Sequence, residues 1–79
     1  MMVELSDEQL LFLVGETDKE MFESGMDIRK RDFFIVPRVM RKLGYVGNVP
    51  ISSGGNPTAN RIVAAYRSIY RPRDLVDRI

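Results

Sequence analysis

The chain has neither cysteine nor histidine among its 79 residues. Without cysteine, no disulfide or thiolate metal site can brace so small a core, and the composition suits a reducing compartment. The two absences together remove the commonest general base and the strongest nucleophile. Carboxylates are left, and Glu16-Thr17-Asp18-Lys19-Glu20 places three of them close together. That stretch lacks the glycine turn and distal glutamate of a calcium loop, and the helix dipole accounts for acids near an N-terminus. Ser52-Ser53-Gly54-Gly55 is followed by no Gly-Lys-Ser or Gly-Lys-Thr, so it is no nucleotide-hydrolase phosphate loop. The longest apolar run, Leu10 to Val14, is too short to span a bilayer. The start, with Glu4, Asp7 and Glu8, is unlike a basic-then-apolar signal peptide. The expectation is a non-enzymatic, cytoplasmic protein with no cofactor, no metal and no membrane contact.

What is present is globular in character, with 44% hydrophobic and 29% charged residues. Seventy-nine residues predict one domain over 1–79. The net charge of +1 conceals a division between an acidic helical part, 1–27, and a basic part, 28–79. Residues 1–27 hold eight acids and one base, a net of −7, whereas 28–79 hold eleven bases and three acids, a net of +8. Such asymmetry suggests a polyanionic partner for the basic part; the alternative is that the two parts fold together and neutralise each other. Nine of the twelve bases are arginine, which suits bidentate contacts with phosphate or guanine.

Local signals predict a mainly α chain. Ser6 and Gln9 make a capping-box pattern ahead of a helix from about Asp7 to Val14 that stops near Gly15. Thr17 and Glu20 repeat the pattern before a second short helix, with Gly25 just past its end. Residues 27–31 read as a basic connector, and Asp32 as the cap of a helix ending before Gly44. Pro37 either interrupts that helix or begins its regular part. Val36, Val39, Met40 and Leu43 share one side and Arg38, Arg41 and Lys42 the other, while Phe33 and Phe34 read most simply as core. From Arg61 onward a helix, capped by Asn56 and begun by Pro57, competes with a strand, and a short β-hairpin over 45–55 would precede that strand. The helix pattern is the cleaner. Tyr66 and Tyr70 suit core packing with a wet hydroxyl better than stacking on unpaired bases.

Arg29-Lys30-Arg31 leads into the helix carrying Arg38, Arg41 and Lys42, six bases within fourteen residues. In a helix-turn-helix protein this is where a recognition helix meets the major groove, with phosphate contacts supplying most of the affinity. The competing reading is a solvated basic helix face. The segment running from Asp32 to Pro72 resembles the winged-helix module that ends virulence-associated protein E and related phage or plasmid primase-helicases. Leu43-Gly44-Tyr45 matches the close of that module's basic helix, and Ala65-Tyr66-Arg67 or Tyr70-Arg71-Pro72 its Tyr-Arg-rich strand after a glycine-tipped hairpin. It departs from that arrangement at Pro37 and in having no base between Val46 and Asn60. The resemblance implies a nucleic-acid-binding role for Arg38, Arg41 and Lys42.

The resulting expectation is a small helix-turn-helix or winged-helix-like domain that binds duplex DNA, such as a transcription regulator from a phage or other mobile element. Arg29, Lys30, Arg31, Arg38, Arg41, Lys42 and Arg61 are its candidate basic contacts; Ser52, Ser53 and Asn56 would anchor the DNA backbone. A helix starting at Pro57 would add an anion site at its free N–H groups, and a homodimer would read two half-sites. The alternative is a protein-binding module, such as a phage-type inhibitor of a host protein, acting through the acidic N-terminal helices.

Overall fold

Ser6 opens the first helix as its spacing predicts. In the computed structural model its Oγ accepts a hydrogen bond from the Gln9 N–H at 3.2 Å, and its own N–H donates to Gln9 Oε1 at 2.9 Å. The structure describes residues 4–46 and 56–69, which form α1 (Asp7–Glu23), α2 (Ile28–Lys42) and α3 (Pro57–Ile69). No strand occurs among the described residues. The hairpin expected over 45–55 falls, from residue 47 onward, outside them.

Two boundaries differ from the sequence reading. α1 does not stop near Gly15; it continues for 17 residues as one helix. Leu10, Val14, Thr17, Asp18 and Met21 all lie buried at three- and four-residue spacing, so one inward stripe spans the glycine. Thr17 is no cap but a mid-helix residue, donating its hydroxyl to the Leu13 carbonyl at 2.7 Å. α2 likewise begins a turn earlier than expected. Asp27 caps it, accepting from the Lys30 N–H at 2.9 Å, and Asp32 is an exposed residue within it. The earlier start adds Ile28 and Arg31 to the packed side of the helix.

Gly25 and Gly44 terminate α1 and α2 with φ of 93° and 101°, the left-handed region that glycine enters without steric cost. Each end closes through two hydrogen bonds. Gly25 N–H donates to Phe22 O and Met26 N–H to Met21 O; Gly44 N–H donates to Arg41 O and Tyr45 N–H to Met40 O, all at 3.0–3.1 Å. α3 starts as predicted, with Asn56 Oδ1 accepting from the Ala59 N–H at 3.0 Å and Pro57 first in the helix.

Each helix packs against the other two. Leu10, Val14 and Met21 of α1, Ile35, Val36, Val39 and Met40 of α2, and Ala59, Ile62 and Tyr66 of α3 form one core, with Leu43 at its edge. Phe33 and Phe34, expected in that core, are 51% and 37% exposed. Continuing the Val36–Val39–Met40 stripe backward at helical spacing reaches Ile35, Arg31 and Ile28, which leaves the two aromatics towards solvent. No helix among the described residues is long and apolar enough to cross a membrane.

Gly15 offers a direct check on the continuous α1. A methyl group there would meet only Ile69 Cδ1, at an ordinary 3.9 Å. Gly15→Ala should raise stability by about 0.5–1 kcal/mol in urea unfolding, because alanine costs less conformational entropy in a helix interior. A helix that broke at Gly15 would lose stability instead.

Candidate nucleic-acid interface

The acidic and basic halves do meet, through ion pairs from α1 to its two basic neighbours. Arg31 Nε lies 2.9 Å from Asp18 Oδ1, Lys42 Nζ 2.8 Å from Glu20 Oε1, and Arg61 Nη2 2.9 Å from Asp7 Oδ1. Arg31, Lys42 and Arg61, all candidate contacts, are therefore engaged by the protein itself. Arg31 departs furthest from expectation. It is buried, donates to the Met26 carbonyl as well as to Asp18, and stands 5.1 Å from the Phe22 ring centroid. A phosphate on the surface has no access to it. Arg61 also donates to the Leu5 carbonyl, tying the start of the described chain to α3.

Tyr66 completes the buried cluster by donating its hydroxyl to Asp18 Oδ1 at 2.7 Å. It is a core residue, as its spacing predicts, but the hydroxyl is dry. Burial, reinforced by the hydrogen bond to Asp18, pushes its acidity well above the usual tyrosine range. The folded state thus holds this proton where the unfolded chain releases it, and stability should fall as pH rises above about 10. Urea titrations at pH 9 and pH 11 check this: the wild-type loss should exceed that of Tyr66→Phe, which carries no such proton.

Asn56 and Ser52–Ser53 contribute differently from one another. The Asn56 side chain caps α3 through Oδ1, which accepts from the Ala59 N–H; its Nδ2 group is the part able to donate to an anion. Ser52 and Ser53 lie outside the described residues.

The remaining candidates gather on α2. Arg29, Lys30, Arg38 and Arg41 are all exposed. At 100° per residue, Lys30, Phe34, Arg38 and Arg41 share the side of the helix turned away from the core, with Phe33 beside them. From Lys30 to Arg41 this face runs for about 16 Å. Phe33 and Phe34 form an edge-to-face pair in its middle, with centroids 5.0 Å apart and planes at 89°. No family model matches this chain, nor does any curated protein or solved structure. The α2 face must be interpreted from its own chemistry: cations able to meet phosphates, around an aromatic pair able to meet base methyl groups or another apolar surface. Sequence reading missed both phenylalanines as surface residues, although the buried stripe of α2, continued through Ile35, excludes Phe34 from the core.

Proposed function

We propose that this protein binds duplex DNA without catalysis, with α2 as the reading helix. The observation that carries the proposal is the exposure of Arg38 and Arg41 on the outward side of α2, together with Lys30. Asp18 and Glu20 of acidic α1 are paired with Arg31 and Lys42. The connection between α1 and α2, residues 24–27 with the left-handed Gly25, has the length and chemistry of a helix-turn-helix joint. In such a joint the second helix enters the major groove.

Phosphate contact by Arg29, Lys30, Arg38 and Arg41 should make binding strongly salt-dependent. Four contacts predict a slope of about −3.6 in log K against log salt, a loss of roughly a hundredfold between 50 and 200 mM. Titration of a labelled duplex at the two concentrations reads this directly. Arg38→Ala with Arg41→Ala should reduce the slope by about 2 and weaken low-salt binding more than tenfold. No binding at low salt, or undiminished binding by that variant, would overturn the proposal.

A further inference from the structure

The outward face of α1 carries an aromatic of its own. Phe12 is 71% exposed, and Glu8 and Glu16, one turn to either side, are exposed as well. The row Glu8–Phe12–Glu16 has the same four-residue spacing as Lys30–Phe34–Arg38 on α2. One is acid, aromatic, acid; the other is base, aromatic, base. Each row runs for about 12 Å along its helix.

We infer that the two rows are complementary docking surfaces through which copies of this chain associate head to tail. Within one chain they cannot meet, because α1 and α2 pack on each other through their buried sides. The occupant of the α2 row is therefore α1 of a second copy. Ridges built from four-residue steps on both helices interlock in the commonest helix-packing class, near −50°. With the aromatics at the crossing point, the ends of the two rows separate by only about 5 Å. Glutamate, lysine and arginine side chains span such a gap. Because each row reads the same in either direction, the charges match whichever way the helices run. The contact joins two different surfaces, so it propagates from copy to copy unless the rotation closes a ring.

The association stands apart from the DNA-binding proposal. Only one consequence rests on that proposal, namely that a duplex and a second copy would compete for Lys30 and Arg38. Sedimentation velocity on protein free of nucleic acid tests the association alone. At low ionic strength the mean mass should rise with protein concentration, and it should fall towards the monomer near 1 M salt, where the Debye length is about 3 Å. Glu8→Lys with Glu16→Lys, or Lys30→Glu with Arg38→Glu, should weaken association at least about tenfold by setting like charges opposite each other. Combining all four reversals keeps the net charge at +1 and should restore it. Circular dichroism confirms that each variant is folded. Should the combined variant fail to fold, an equimolar mixture of the two half-reversed chains must associate, since each then carries the row that fits the other. A monomer at every concentration in low salt would overturn the inference. So would association indifferent to either half reversal, or failure of both the combined variant and the mixture.

Discussion

Asp18→Ala is expected to cost about 3–5 kcal/mol, most of the stability that a domain of this size possesses. The carboxylate sits between helices and serves the other two at once: Oδ1 accepts from Arg31 Nε of α2 and from the Tyr66 hydroxyl of α3. Both ionic side chains are only 9% exposed. Removing Asp18 takes from the buried Arg31 guanidinium its carboxylate and from the Tyr66 hydroxyl the oxygen it donates to, while the Met26 carbonyl and the Phe22 ring stay beside the guanidinium. The cost arises from a buried charge that loses its carboxylate more than from the loss of the attraction. Asp18→Leu, Arg31→Met and Tyr66→Phe together should therefore recover most of the loss, because apolar groups of similar volume replace buried ion pairs at little net cost. Urea unfolding of the single and triple variants gives both numbers. A single-variant loss below about 1 kcal/mol would mean that Arg31 swings out to water and the pair does not hold the helices together.

This cluster also marks the boundary of what was legible in the sequence. Helix ends depend on chemistry a few residues wide, so Ser6 with Gln9, Asn56 with Pro57, and Gly25 and Gly44 announced themselves correctly. Arg31 did not, because the partner that draws it inward lies 13 residues away and the tyrosine sharing that partner lies 48 from it. Its four-residue spacing from Ile35 puts it on the buried stripe, unlike Arg29 or Arg38, but nothing local supplies the carboxylate that makes burial of its charge tolerable. Gly15 misled for a related reason: its local cost of about 1 kcal/mol is outweighed by a stripe that buries residues on both sides of it. The aromatics erred in the opposite direction. Hydrophobicity alone puts Phe33 and Phe34 inside, whereas the register of α2, set by Asp27 and Ile35, turns them outward.

Pro37→Ala is expected to stabilise the fold by about 1–3 kcal/mol while weakening what α2 does on its outward side. Pro37 lies inside a helix that continues from Ile28 to Lys42. It has no N–H to give to the Phe33 carbonyl, and its ring crowds that group, the usual origin of a bend. Alanine restores the bond and relieves the crowding. The position also divides the outward face, with Lys30, Phe33 and Phe34 before it and Arg38 and Arg41 after it. Removing the proline removes whatever bend it imposes on the helix and so turns the second group relative to the first. A contact that depends on both groups at once, whether with DNA phosphates or with α1 of another copy, should weaken about three- to tenfold, equivalent to 0.6–1.4 kcal/mol. Thermal unfolding and duplex titration of the same variant should thus move in opposite directions. If both rise together, the two halves of the face act independently and the proline is only a cost to the helix. Opposed effects of one substitution on stability and binding are what a proline that serves the outward face at a cost to the helix predicts.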